Sequence, residues 1–299
     1  MQARMLFLHA LSPLHVGTGQ GLGVIDLPVA REKGTGIPIV PGSSLKGVLR
    51  AAAPDDKRVK VFGPETNQAS AHAGSVQIGD LHLLFLPVRS LRGTFAWVTS
   101  PFLLQRFARD MTWIEPKYRL SVHAVPKVGH TEICLVPNQP KSVLTMRVKV
   151  KEDEEEKEKD KVILEDLDLH PAPNEDLAKW ADVLAPQVFT DETWQGVFKE
   201  RVCLVHDNVM RFLLDTALEV TARIRLDEQT KTVQRGALWY EEALPAETIM
   251  AGLVFVTPVK AVEMDVEYII EVIKQAIRFP LQLGGNATVG RGLCQLSLL

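Results

Sequence analysis

The 299-residue chain predicts an α+β protein with helices packed on one face of an antiparallel sheet. Three observations carry that expectation. Apolar residues make up 46% of the chain, which is ample for a core and excludes wholesale disorder. An apolar run at 5–16, rich in Leu, Phe and Val, reads as a buried strand. The last third runs strand, helix, strand, strand, helix, strand, and that β-α-β-β-α-β rhythm is the ferredoxin-like pattern.

After the first strand, Gly-rich sequence continues through about residue 36. Pro41-Gly-Ser-Ser-Leu-Lys-Gly-Val-Leu-Arg-Ala-Ala-Ala then predicts a short helix, capped by Ser43 or Ser44 and stopped at Pro54. Strand-like alternation recurs at 75–86 and 94–99, and an amphipathic helix is expected at 102–113. Residues 115–200 mix strand and helix signals and read as an insertion on the main body, between an N-terminal part (1–114) and a C-terminal part (201–299). Within it, the run Lys-Glu-Asp-Glu-Glu-Glu-Lys-Glu-Lys-Asp-Lys at 151–161 predicts an exposed loop or frayed helix. The C-terminal part reads as strand 201–206, helix 207–217, strand 218–226, Gly236-Ala-Leu-Trp-Tyr-Glu-Glu, strand 248–257, helix 262–277 and strand 293–298.

With 34 basic and 37 acidic side chains the net charge is −3, so the chain lacks the strongly basic signature of many nucleic-acid binders. Outside 149–161 the bases and acids number 29 and 30, and they are unevenly spread. Residues 1–60 hold eight bases against four acids, and 89–130 hold seven against two. These segments either line a local groove for phosphates or form two solvated faces. Cys134, Cys203 and Cys294 are scattered, with no CxxC pair or Cys/His cluster. Neither a zinc site nor a disulfide framework is expected, and the reading is a reduced, cytoplasmic protein. His9, Ser12, Pro13 and His15 interrupt the N-terminal apolar run, so no signal peptide is read. No stretch is long and apolar enough to span a bilayer, so no membrane role is expected.

Two glycine clusters remain. Gly17, Gly19, Gly21 and Gly23 alternate, which misses the dinucleotide fingerprint, and Gly42-Ser-Ser-Leu-Lys46-Gly misses the P-loop. Physically, such glycines let backbone N–H groups approach an anion, and a helix start at Ser43–Ser44 adds orphan donors. Lys46 and Arg50, four apart on one helical face, extend that site, or else the glycines only turn the chain and Lys46 is solvated. The second cluster is Leu283-Gly-Gly-Asn-Ala-Thr-Val-Gly-Arg-Gly, either a connecting turn or a backbone contact for a polyanion.

Taken together, these strings resemble a known family. Ser12-Pro-Leu-His-Val-Gly-Thr-Gly, Asp26-Leu-Pro-Val-Ala-Arg-Glu and Gly36-Ile-Pro-Ile-Val-Pro-Gly-Ser-Ser-Leu-Lys-Gly-Val-Leu-Arg are similar to the RAMP superfamily of CRISPR proteins. The resemblance is closest to the repeating backbone subunit of type III-B (Cmr) effector complexes. Gly284-Gly-Asn-Ala-Thr-Val-Gly-Arg-Gly resembles the superfamily's glycine-rich loop, and Thr230 through Pro245 its thumb hairpin, about 223–241. The resemblance implies a ferredoxin-like or RRM-like palm, a protruding β-hairpin thumb and an inserted helical region. It implies head-to-tail stacking of copies along a guide CRISPR RNA, with sibling Cmr subunits as further partners. It also implies cleavage of complementary single-stranded target RNA at regular intervals, dependent on a divalent metal such as Mg²⁺ or Mn²⁺.

The resemblance places the catalytic, metal-holding carboxylate at Asp26, the only acid in the first 31 residues. A lone carboxylate suits Mg²⁺, which takes one or two protein carboxylates plus phosphate oxygens, or suits orienting a 2′-hydroxyl. By itself the residue also suits capping an Asx-turn. His15 is a candidate acid/base, RNA contact or structural histidine. Lys46 is placed to neutralise charge on a scissile phosphate. Glu241, with Glu242, either completes a metal site or is a solvated pair at a strand end. Trp239 and Tyr240 either stack on bases or pack a core. The RNA contacts expected are Gly17, Gly19, Ser43, Ser44, Lys46, Arg50, Trp239, Tyr240, Gly284, Gly285, Asn286, Thr288, Gly290, Arg291 and Gly292. Two other readings stand beside the cleaving subunit: a non-catalytic filament subunit, and a metal-independent guide-processing endonuclease.

Overall fold

A computed structural model describes every residue except 18, 20–23, 65–72, 153–154 and 259–263. Strand β1 (Gln2–Ala10) is buried from Ala3 to its end. Met5 and Phe7 enter one apolar cluster, whereas Leu6, Leu8 and Ala10 enter another. A strand covered on both faces reads as an unbroken apolar run, which is why no alternation marks it. It ends at Ala10, not at 16: Pro13 has no amide to donate, and pairing resumes as an isolated bridge between Leu14 and Leu244.

The centre of the sheet runs β15 (Leu293–Leu298), β1, β13 (Ile249–Val256), β4 (Leu81–Arg89), all antiparallel. Helices α1 (Gly42–Ala52) and α2 (Asp55–Phe62) connect β1 to β4, and α7 (Val266–Ala276) connects β13 to β15. Beyond β4 the sheet continues through β5 (Phe95–Thr99), β10 (Val202–Val205), β6 (Ile133–Pro137), β9 (Leu167–Asn174), β8 (Glu155–Leu164) and β7 (Met146–Glu152). Two of those pairings, β5 with β10 and β6 with β9, are parallel. Short strands β2 (Ile39–Val40), β3 (Val76–Ile78) and β14 (Leu281–Gln282) complete thirteen strands among the described residues.

The result is a mixed α/β fold with seven α-helices among the described residues, and it corrects several expectations. Helices cover both faces of the sheet, not one. Helices α1, α2, α6 (Asp207–Thr216) and α7 feed one cluster, while α4 (Glu175–Val188), α5 (Glu192–Arg201) and most of α3 (Pro101–Met111) feed the other. The last third is not a self-contained unit, because β10 pairs with β5 and β6 while its next two strands leave the sheet. Rhythm along the chain carries no information on such long-range pairing. Gly79 and Asp80 split the strand expected at 75–86. Helix α1 is capped by Pro41, so Ser43 and Ser44 lie exposed in its first turn, and the Gly42 N–H donates to Asp80 at 2.8 Å. Helix α7 starts at Val266, behind an Asp265 cap that accepts the Tyr268 N–H.

The described residues of the charged run at 151–161 are strand, neither loop nor helix. The run belongs to a hairpin, β7–β8, that sets Arg147 opposite Asp160 and Lys149 opposite Glu158. Opposite charges facing across strands stabilise the pairing that the run's polarity conceals. The inserted region is accordingly not purely helical, since four strands of the large sheet fall within 115–200.

The remaining strands, β11 (Glu219–Leu226) and β12 (Val233–Ala243), form a separate two-stranded ribbon. Thr221 faces Glu241 and Arg223 faces Trp239 on one side. On the other, Val220, Ile224, Leu238 and Tyr240 stay exposed, as do Leu226 and Val233 beyond a register shift nearer the tip.

Candidate active site at the base of the ribbon

Two loop segments from the start of the chain are stitched to β12. Leu14 exchanges backbone hydrogen bonds with Leu244, at 2.8 and 2.9 Å. Further on, the Leu27 N–H donates to the Tyr240 carbonyl at 3.0 Å, and the Glu242 N–H donates to the Leu27 carbonyl at 2.9 Å. Leu27 thus pairs with β12 in parallel. This brings Asp26 to the ribbon, where its Oδ2 accepts the Tyr240 N–H at 2.7 Å. The carboxylate is exposed, with one oxygen anchored to the backbone.

His15 is buried, and its Nδ1 lies 2.6 Å from the Glu242 carbonyl. A carbonyl only accepts, so Nδ1 carries the proton in this bond. A Cβ on Gly17 would lie 2.7 Å from Nε2, so only glycine fits beside the ring. The glycine-rich loop packs on the same histidine. The Gly285 N–H donates to the His15 carbonyl at 2.9 Å, and a Cβ on Gly284 (φ +73°) would sit 2.1 Å from that oxygen. Other amides of this loop are likewise already bonded: Val289 and Arg291 to Asn286 and Gly290 to Ala287 within the loop, and Gly292 to Pro13 outside it. The loop thus has a structural task of its own, cradling the His15 segment. Thr288 is exposed in a short 3₁₀ turn, Ala287–Val289.

Glu241 is not a solvated carboxylate, being 5% exposed. Its Oε1 accepts the Trp239 indole N–H at 3.0 Å, and its Oε2 accepts Arg223 at 3.1 Å and Asn286 at 2.9 Å. Burial alone would push its carboxyl up, but the Trp239 and Arg223 hydrogen bonds outweigh it and hold the group below the usual carboxylate range. Arg291 donates to Thr221 on the same side of the ribbon, at 3.1 Å. Glu242, equally buried, accepts Val29 and Arg31 instead.

The structure therefore gathers His15, Gly17, Asp26, Trp239, Tyr240, Glu241, Gly284, Gly285, Asn286 and Arg291 about one ribbon base. Ser43, Ser44, Lys46 and Arg50 lie apart from this network on α1, where Arg50 donates to the Gly63 carbonyl behind α2. Gly19 (φ +96°) has open space around it, and Gly21 and Gly23 lie outside the described residues. Sequence reasoning missed Arg31 and Arg223, whose partners lie 211 and 18 positions away. The available signal was the adjacent Glu241-Glu242 pair, because neighbours in a strand face opposite sides and two buried acids require two separate cations.

Among the described residues no group of three or more His, Cys, Asp or Glu is gathered to hold a metal. Of the carboxylates gathered at the ribbon base among the described residues, Glu241 and Glu242 are buried and Asp26 is exposed. That fits Mg²⁺, which keeps several waters and completes its shell with substrate phosphates.

The family pattern of the RAMP superfamily matches residues 7–295. A relative from Pyrococcus furiosus, the CRISPR system Cmr endoribonuclease Cmr4, is 36% identical over 305 residues, covering 100% of this chain and 96% of the relative. The CRISPR system CMR subunit Cmr4 of Saccharolobus solfataricus is 24% identical, over 98% of this chain and 95% of the relative. The crystal structure of oligomeric Cmr4 from Pyrococcus furiosus superposes with a TM-score of 0.71 at 28% identity, covering 100% and 98% of the two chains. A chain of the type III-B Cmr-beta complex bound to cognate target RNA shares the fold, with a TM-score of 0.71 at 22% identity and 100% and 97% coverage.

Proposed function

The chain belongs to the RAMP superfamily, and from that premise we propose that it is the guide-RNA-binding backbone subunit of a type III-B effector complex, cleaving complementary target RNA at regular intervals. The four central strands, in the order β15–β1–β13–β4 with helices in both crossovers, support reading them as a ferredoxin-like palm. The β11–β12 ribbon is then the thumb, and its exposed Ile224 and Leu238 suit a wedge between bases. Copies of the chain would stack head-to-tail along the guide, with sibling subunits closing the assembly in the cytoplasm.

The observation that carries the reading is the hydrogen bond from the Tyr240 N–H to Asp26. It fixes the one exposed carboxylate of the N-terminal segment to the base of the wedge, where a distorted target strand would pass. Unstacking a nucleotide costs a few kcal/mol and permits the in-line geometry that a stacked A-form strand withholds. Asp26 would orient the attacking 2′-hydroxyl and accept its proton as the 2′-oxygen bonds to phosphorus and the P–O5′ bond breaks, the departing 5′-oxygen taking a proton from solvent. It would also hold a divalent ion, which supplies charge neutralisation at the phosphate when bound. Glu241 keeps Arg223, Trp239 and Asn286 in place beneath it.

The test is target cleavage by the assembled complex. Asp26→Asn, nearly isosteric, should abolish cutting with assembly and guide binding intact, and EDTA should do the same to the wild type. Cutting at the wild-type rate by the variant would return Asp26 to a turn-capping role. Cutting that survives EDTA would favour a metal-independent nuclease.

A further inference from the structure

Glu242 plays no part in that chemistry, yet it is a carboxylate only 5% exposed. Its Oε2 accepts the Val29 N–H at 2.9 Å and its Oε1 accepts Arg31 at 2.7 Å. The same guanidinium donates to the Leu214 carbonyl in α6 and to the Gly36 carbonyl, each at 3.0 Å. One arginine therefore joins the ribbon, the segment that bears Asp26, and a helix of the main body. The next residue turns the other way: Glu32 accepts Arg106 of α3 at 2.7 Å through one oxygen, and the other oxygen is bonded to the same guanidinium.

Stability alone does not call for this arrangement, because a buried ion pair gives no more than apolar residues of similar volume would. What the pair supplies is register. The segment from Asp26 to Arg31 meets β12 through backbone bonds at Leu27, then leaves it to pair at Val29 with Gly17 and at Arg31 with Pro38, and the Glu242 side chain reaches across to hold it at Val29 and Arg31. We propose that Arg31 and Glu242 are positioning residues, a rivet that makes the Asp26 segment move with the ribbon as one body. This rests on the reading of Asp26 as the cleaving carboxylate. A displacement of about 1 Å in a reacting group costs on the order of a hundredfold in rate, so looseness at this rivet reaches the chemistry.

The experiment has two readouts. In the assembled complex, Arg31→Gln should slow single-turnover cleavage of bound target by roughly ten- to a hundredfold and change target affinity by less than about twofold. Arg31→Lys, which keeps the charge facing Glu242, should recover most of the rate. In the isolated full-length chain, hydrogen exchange should quicken in peptides covering 24–31 for Arg31→Gln and Glu242→Gln, and stay unchanged in β1 and β13. Unchanged exchange at 24–31 would overturn the rivet whatever the cleavage result. So would equal rates for Arg31→Lys and Arg31→Gln, or loss of target affinity in step with rate. Asp26→Asn run alongside separates the two ideas: if it cuts normally the reading of Asp26 fails, while the exchange data still judge the rivet.

Discussion

Two hairpins extend from this protein, and they solve the problem of exposure in opposite ways. The β7–β8 hairpin is built of charge. Arg147 lies 3.6 Å from Glu158 and 3.5 Å from Asp160, and Lys161 bonds Asp168 on β9. It also continues the main sheet through β9. The β11–β12 ribbon stands as its own sheet, with one side tied to Asn286 and Arg291 and the other showing Ile224 at 51% and Leu238 at 55% exposure. A self-satisfied hairpin needs no partner. A ribbon with an apolar outer face is unfinished until something covers it, and the difference is the reason we propose function at the second hairpin.

The sharpest way to break this comparison is to shorten each hairpin in turn. Removing Glu228–Arg235 from the ribbon tip should erase the evenly spaced ladder of target fragments, even with Asp26 present. Replacing residues 149–158 of the other hairpin by a tight turn should leave the ladder and its rate within about twofold. Loss of the ladder in both, or in neither, would remove the distinction. Denaturing gels of target cut by the assembled complexes give the answer.

A second comparison concerns stability. Glu241→Ala leaves Arg223 without its carboxylate and strips a partner from Trp239 and Asn286, a cost of about 3 kcal/mol at the ribbon base. Glu158→Ala removes one exposed partner of Arg147, worth less than about 0.5 kcal/mol. Denaturant titration of the two variants, with exchange at the ribbon, measures the gap. Equal effects would mean that the ribbon base is no better organised than a surface ion pair.

How much of this was legible beforehand follows the same division. Strand 293–298 and helices α3 and α6 were placed closely because their signals are local: amphipathic period, a proline at the start, a turn at the end. The family strings led to Asp26 and His15 and to the loop that cradles His15. Arg31, Arg223 and the burial of Glu241 and Glu242 stayed hidden, since each depends on a partner set by tertiary pairing. The charged run at 151–161 failed differently. Its composition resembles a solvated loop, and only the cross-strand register shows that Arg147, Lys149 and Lys151 each face an acid on the neighbouring strand.

Acid should separate the anchored carboxylates from the surface ones. Arg106 holds Glu32 down at about 2 against an ordinary 4.5, and Glu241 is also lowered. A carboxylate depressed in the folded state stabilises it fully above the ordinary value, and the contribution disappears as pH falls through the lowered one. His82, lowered from 6.5 chiefly by burial, acts in the same direction, because the unfolded chain takes up its proton more readily. Stability should therefore fall progressively below pH 6.5 and most steeply below 4.5. The Arg106→Gln variant should show a shallower acid limb by thermal denaturation. An identical limb would mean that the Arg106 pair does not hold Glu32 down.

The smallest effect belongs to salt. Arg147 is 69% exposed at its side chain and faces two acids that are themselves more than half exposed. At physiological ionic strength the Debye length is about 8 Å, so each contact is partly screened and the pair contributes no more than about 0.5 kcal/mol. Raising salt to about 1 M shortens that length to about 3 Å and should loosen exchange along β7–β8 by a small factor. The ribbon base should respond less, because Glu241 is buried and its bonds to Trp239 and Asn286 are not ionic. Arg147→Ala should weaken the salt response of β7–β8 and leave that of β11–β12 as it was. If the ribbon proved the more salt-sensitive of the two, its base would rest on the Arg223 pair alone, and the organisation inferred from Glu241 would reduce to one ion pair.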